Sequence, residues 1–221
     1  MTRYFDKELE SLKTLLIKMG SLAEEAVHFA VNGLIENDLS LAKKVLDGED
    51  RINKLEIEID NAIVDILALQ QPVAIDLRLI LAAQKINNDL ERIGDHAVNI
   101  AESVITIQSC DDRQQLIFIP KMAKLAEQML RDALDSFIHN DPQLSKSVLE
   151  HDDTIDELNR NVFQRSVENM KSNQRTIEMG MHLTRISRNI ERIADLATNI
   201  AEEVIFIAQA RIVKHNAQDI K

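Results

Sequence analysis

A chain of 221 residues with 45% hydrophobic and 29% charged residues is long enough to bury one or two cores and too apolar to stay disordered. Its formal net charge of −11 repels phosphate backbones, which argues against nucleic-acid binding and leaves cations and basic protein surfaces as electrostatic partners. Aromatics are only 3%, while Leu, Ile, Ala, Glu, Asp and Asn abound, a composition that favours helix over strand.

Apolar residues recur at helical spacing along nearly the whole chain. The stripe Leu12, Leu15, Leu16, Met19, Leu22, Ala23, Ala26, Ala30 predicts a first helix over 6–36. Asn37-Asp38 closes it and offers an N-cap to a second helix over 39–69, whose stripe is Val45, Ile52, Leu55, Ile59, Ile63 and Ile66. Gln70-Gln71-Pro72 interrupts the chain before a third helix over 74–108. The polar run Ser109–Arg113, with Pro120 shortly after, precedes a fourth over 118–138. Asn140-Asp141-Pro142 reads as a cap followed by proline at the first helical position of a fifth, 142–171. Ser172-Asn173 separates it from a sixth, 175–210. Helices of about 30 residues run ~45 Å, and with short loops they pack as antiparallel neighbours in a bundle.

No apolar run approaches the roughly 20 residues that span a bilayer, and the start Met1–Asp6 has no signal-type apolar core. The lone Cys110 has no intramolecular disulfide partner, which suits a reducing compartment. A cytoplasmic protein is expected.

The second half of the chain repeats the first. Leu22-Ala23-Glu24 matches Leu125-Ala126-Glu127, Asn37-Asp38 matches Asn140-Asp141, and Leu41, Lys43, Val45, Leu46, Asp50 match Leu144, Lys146, Val148, Leu149, Asp153. Past the Pro72 linker the register shifts by three residues. Residues 87–107 (NNDLERIGDHAVNIAESVITI) and 187–207 (SRNIERIADLATNIAEEVIFI) then agree at 12 of 21 positions, Glu, Arg, Asp and Asn included. Chance pairing of two amphipathic helices reproduces Leu and Ala, not this polar pattern. The expected organisation is two three-helix units over 4–108 and 113–210, with a tail over 211–221.

In ERIGD, Glu91 and Asp95 are four apart and share a helix face, which Asn99 and Glu102 continue. Like charges at this spacing destabilise an isolated helix by about 0.2–0.5 kcal/mol, so solvent, arginines or a cation must offset them. Glu191 and Asp195 repeat the pair. A weaker version lies on the preceding helix of each repeat, as Glu49/Asn53 and Asp152/Asp156. An antiparallel bundle can bring these groups together as clusters of hard oxygen ligands, suited to magnesium, manganese or iron. Arg92 and Arg192 read as salt-bridge partners of their neighbouring carboxylates, and Asn99 and Asn199 as bonds across helices. The histidines (His28, His96, His139, His151, His182, His215) do not recur between repeats and read as surface or partly buried residues. Glycine-rich phosphate loops and nucleophile elbows are missing from the sequence, and no catalytic constellation stands out.

The stretch QQPVAIDLRLILAAQKINNDLERIGDHAVNIAE, with its proline linker, Asp76-Leu77-Arg78 and ERIGD, resembles the signature of the PhoU family, and ERIAD resembles its second copy. The resemblance extends over about residues 4–210. It implies an all-α fold of two symmetric three-helix bundles, with metal clusters on E/DxxxD motifs in some members. Transferred onto this chain, the motifs fall on Glu49/Asn53 and Glu91/Asp95, and on Asp152/Asp156 and Glu191/Asp195. Asn53 departs from the pattern and implies a weaker first site. The resemblance further implies a negative regulator of phosphate uptake that links the phosphate ABC transporter's ATPase subunit to a sensor histidine kinase, and that often forms a homodimer. It implies contact with the membrane only through those partners.

Two other readings follow from the residues. A ferritin-like di-iron bundle needs Glu-x-x-His on two helices; Glu25-Ala26-Val27-His28 supplies one, but Gln128 and Arg131 stand at the repeat-equivalent positions. A metal-free helical adaptor, for this or another transporter, needs only that the acidic groups form solvated faces.

Overall fold

The computed structural model describes residues 2–108 and 116–210, which form long α-helices, short 3-10 turns and no strand. Helix α1 runs over Thr2–Glu36, α2 over Leu39–Gln70 and α3 over Ala74–Thr106. The second half comprises α4 (Ile119–His139), α5 (Pro142–Leu149), α6 (Asp152–Ser172), a 3-10 turn at Gln174–Thr176, and α7 (Ile177–Gln209). Helices α1, α2 and α3 pack on one another, as do α4, α5, α6 and α7. Cys110, His215 and the expected 211–221 tail lie outside the described residues, as does the start of the second unit at 113.

The sequence punctuation works as its chemistry dictates. The Asp38 side chain accepts a hydrogen bond from Ser40 N at 2.8 Å and caps α2. Asp141 does the same for Gln143 N and Leu144 N at 2.9 and 3.2 Å, with Pro142 in the first turn of α5. Asn37 and Asn140 precede these caps with φ of 59° and 51°, the left-handed region that asparagine tolerates better than most residues. Asn173 ends α6 and caps the following turn through Arg175 N at 3.0 Å.

The six-helix architecture has one departure from the sequence expectation: the fifth helix is broken at Glu150–His151 into α5 and α6. There the turn tightens, and His151 N bonds back to Val148 O, three residues away rather than four. The equivalent stretch of the first repeat, Asp47-Gly48, runs through as regular α2 despite its glycine. The break makes Asp152 the first residue of α6.

The core is one continuous cluster of Leu, Ile, Val, Ala and Met, with Leu12, Leu16, Met19, Ile59, Ile86, Leu90, Ile93, Ile100 and Met129 almost wholly buried. Met181, by contrast, is 64% exposed. The two bundles join chiefly through α3 against α7, with α1 against α4 alongside. Glycine admits the latter approach: a Cβ at Gly20 would stand 2.7 Å from Leu134 Cδ2.

Polar contacts set the register of α3 on α7. Lys85 Nζ reaches Glu203 Oε1 at 2.7 Å, His96 Nδ1 meets Asn189 Oδ1 at 2.8 Å, and Arg185 Nη2 donates to Asn99 Oδ1 and Glu102 Oε2 at 2.7 and 2.9 Å. Residue 85 thus lies opposite 203, and 102 opposite 185, so the helices are antiparallel and cross near ERIGD and ERIAD.

Candidate metal centres

Each repeat gathers carboxylates between its second and third helical segments. In the first repeat Glu49, Asn53 and Glu91 are half-buried and Asp95 is exposed. Burial pushes the Glu91 carboxyl above its ordinary value, and the charges of Asp95, Glu56 and Glu49 push it further, with Arg92 opposing. In the second repeat Asp152, Asp156, Glu191 and Asp195 are all half-buried. Burial raises Asp152, aided by Asp195, Asp156 and Asp153. Burial likewise raises Glu191, aided by Asp195 and Asp156 and opposed by Arg192 and Arg188. Asp195 is raised by burial and Asp156, against the pull of Arg192 and His96. Asp152 titrates upward although it starts a helix, where the macrodipole favours a carboxylate; desolvation and three like charges outweigh that dipole.

The structure therefore brings Glu49 within electrostatic reach of Glu91, with Asn53 one turn along α2, and in the second repeat it brings Asp156 and Asp195 within electrostatic reach of both Asp152 and Glu191. It adds two residues that sequence reading missed. Glu56 is half-buried on α2, and its carboxyl is raised by burial and by the charges of Asp60 and Asp95. Glu56 and Asp60 are themselves four apart, so the pattern that flagged the other pairs marks them too. They were hidden because their repeat equivalents are Asn159 and Phe163. Position by position, Glu49-Asn53-Glu56 corresponds to Asp152-Asp156-Asn159: each ladder holds two carboxylates and one amide, with the amide moved by a turn.

Beneath these ladders lies a polar layer. Asn87, fully buried, donates through Nδ2 to Asp60 Oδ1 at 2.8 Å and to Glu56 O at 3.1 Å. Its counterpart Ser187 donates to Asn159 Oδ1 at 2.8 Å. Gly94 fits the same interface, because a Cβ there would stand 2.9 Å from Ile52 Cδ1. The second repeat has Ala194 at the equivalent position.

The arginines behave differently in the two copies. Arg192 holds Asp195 at 3.0 Å and lies 3.9 Å from Glu191, as the sequence suggested. Arg92 turns instead to Asp89 at 3.8 Å. Asn99 bonds across helices as read, yet Glu102 leaves the acidic face and pairs with Arg185 of α7. Asn199 is exposed.

The donors are hard oxygens carrying excess like charge, which fits a multivalent cation chemically. Among the described residues, however, no three His, Cys, Asp or Glu side chains converge in the geometry an ion requires. The Glu25-x-x-His28 match lies elsewhere: Glu25 borders a groove of about 380 Å³ between α1 and α2, and His28 stands 3.3 Å from Glu127 of α4. Lys44 and Arg51 also rim that groove, but Glu25 and Asp47 balance their charge, so it is no anion pocket. No helix among the described residues is long and apolar enough to cross a membrane.

Comparison with known proteins agrees with this architecture. The PhoU domain model matches residues 16–104 and again 119–204, once in each repeat. The phosphate-specific transport system accessory protein PhoU homolog of Aquifex aeolicus is 40% identical over 209 residues, covering 95% of both chains. The homolog of Pseudomonas aeruginosa is 37% identical, covering 97% of this chain and 89% of its own. The crystal structure of PhoU from Pseudomonas aeruginosa superposes with a TM-score of 0.91 at 36% identity, over 94% of this chain and all of that one. PhoU from Streptococcus pneumoniae does so with a TM-score of 0.86 at 28% identity. The chain belongs to the PhoU family, whose matched members are accessory proteins of phosphate-specific transport.

Proposed function

We propose that this protein is a negative regulator of phosphate uptake and of the phosphate-starvation response. It acts as a non-catalytic adaptor between the phosphate ABC transporter's ATPase subunit and a sensor histidine kinase, in the cytoplasm and as a homodimer. The observation that carries the reading is the end-to-end match to phosphate transport accessory proteins, 40% identical over 95% of both chains. An acidic body with long helical faces suits an adaptor that recognises proteins and reaches the membrane only through them.

The acidic centres serve this role as metal clips. Glu49, Asn53, Glu91 and Asp95, joined by Glu56 and Asp60, would hold iron, manganese or magnesium in the first repeat; Asp152, Asp156, Glu191 and Asp195 would do so in the second. The ion would supply positive charge that offsets the carboxylate repulsion and ties α2 to α3, and α6 to α7. These side chains orient the helix faces that partners recognise; Arg192 neutralises part of the charge when no ion is held.

The test is capture of partners by the tagged protein from phosphate-replete cells with membranes solubilised. Recovery of the ATPase subunit or the kinase is expected, and recovery of neither overturns the adaptor reading. If Asp95→Ala with Asp195→Ala leaves metal content and regulation intact, the clip reading is wrong.

A further inference from the structure

The apolar side chains that the fold leaves in water are not scattered. Among the described residues, eight of the 14 large hydrophobic side chains that stand exposed lie within 57–81, the end of α2 and the start of α3. Three more, Phe163, Ile177 and Met181, lie in the equivalent stretch of α6 and α7. The exposure is itself duplicated: Leu77 and Leu81 are 37% and 46% exposed, and their counterparts Ile177 and Met181 are 42% and 64% exposed. Single exposed apolar residues are ordinary, whereas a contiguous patch marks a contact surface. The patch of the first repeat is contiguous. Asp60 of α2 accepts a hydrogen bond from Gln84 Nε2 of α3 at 2.9 Å. Val64 and Leu67 lie four and seven residues beyond Asp60, and Leu81 and Leu77 three and seven before Gln84, so all four line one groove between the antiparallel helices. In the second repeat Phe163 takes the place of Asp60 at the head of the equivalent groove.

The charges around the two patches have opposite sign. Residues 55–84 hold five acids and a single cation, the half-buried Arg78, while Glu58 and Asp65 stand exposed. Residues 158–184 hold four cations and two acids, and Arg160, Lys171 and Arg175 stand exposed. Duplication kept the apolar positions and inverted the charge. The α3–α7 pair is antiparallel, with Lys85 beside Glu203 and Arg185 beside Glu102, so the patches lie at opposite ends of the molecule and cannot meet within one chain. Each end is complementary to the other and repels its own kind.

We propose that these patches are the contact between two copies of this chain: the α2–α3 patch of one copy packs on the α6–α7 patch of the other, in an antiparallel dimer that makes the contact twice. This rests on the homodimer reading above and names its surface. Burial of Val64, Leu77 and Leu81 against Phe163, Ile177 and Met181 supplies the binding. Glu58 and Asp65, set against Arg160 and Lys171, decide which ends meet. A two-fold axis closes the pair and leaves no end to add a third copy.

The experiment is sedimentation of the full chain over a range of concentration and salt. Wild type should be a dimer whose dissociation constant rises with salt, because the charges that orient it are screened. Glu58→Lys with Asp65→Lys should weaken it by about 10-fold or more, and so should Arg160→Glu with Lys171→Glu. A chain carrying all four substitutions has both patches reversed and complementary again, so it should regain the dimer. Leu81→Ser with Met181→Ser should weaken the dimer by about 10-fold or more at every salt concentration. All these positions are exposed, and melting curves confirm that the variants fold. If the charge-reversed pairs dimerise as tightly as wild type, or the fourfold variant is not restored, the dimer uses another face: the proposal is wrong while the homodimer reading stands. Assemblies that keep growing with concentration would mean open head-to-tail chains and overturn the closed dimer. If wild type is a monomer at every concentration, the homodimer reading fails and the proposal falls with it.

Discussion

In the first acidic centre Asp95 is exposed and Arg92 turns away to Asp89, whereas in the second Asp195 is half-buried and held by Arg192 at 3.0 Å. The ladders differ as well: Glu56 on α2 faces Asn159 as its equivalent on α6, and Asn53 faces Asp156. Duplication copied the spacing of the acids, and each copy then met different neighbours. The first leaves Asp95 to solvent, whereas the second holds Asp195 with the guanidinium of Arg192. Equal motifs in a repeat protein do not make equal sites, because half of each environment comes from residues the repeat does not duplicate.

The largest test of that difference is metal content. Asp195→Ala should strip the second centre and leave the first loaded, and Asp95→Ala should do the reverse, as read by elemental analysis after dialysis. Next, Asn53→Asp adds a carboxylate where the second repeat already has one. It should tighten the first centre by on the order of ten-fold, about 1.4 kcal/mol, and lower the melting temperature of metal-free protein, measured by titration and by melting curves.

The raised carboxylates predict an unusual pH dependence. Glu56, Glu91, Asp152, Glu191 and Asp195 hold protons more tightly folded than unfolded. Their protonation therefore favours the fold fully below the ordinary carboxylate values near ~4, and that contribution is lost as pH rises through the folded values. In metal-free protein Glu191→Gln should melt higher than wild type at pH 7, with the gap closing as pH falls toward about 4. Saturating metal should reverse the sign of the gap.

The smallest effects concern packing. Ala194→Gly should cost about 1 kcal/mol in helix propensity, or roughly 2–4 °C in melting temperature for a chain of this size. Gly94→Ala gains a similar propensity but presses a Cβ to 2.9 Å from Ile52 Cδ1, the flexible end of a side chain, so the net change should be close to zero. A large loss at Gly94 would mean that α2 has no room to yield.

Much of this was legible in the sequence because it is local. Helical stripes, the Asp38 and Asp141 caps and the left-handed asparagines before them act within a few residues of themselves, as do the i,i+4 acidic pairs. The break at Glu150–His151 was not legible: its sequence equivalent Asp47-Gly48 looks more breakable and stays helical, so packing of α5 against α4 and α7 outweighs propensity. Glu56 and Asp60 escaped notice because symmetry between repeats served as the filter, and these two break it. Glu102 was assigned to the acidic face from spacing alone, which cannot know that Arg185 approaches from the other repeat.

By itself, then, the sequence determined that the chain is all-helical, internally duplicated and acidic at matched positions, because periodicity, capping chemistry and charge are written in near neighbours. Which acids meet was decided only by the packing of α2 on α3 and of α6 on α7, and the pairings of Lys85 with Glu203 and of His96 with Asn189 only by the antiparallel docking of α3 on α7. That docking joins residues about 90 to 120 positions apart, whose mutual distances no local rule constrains.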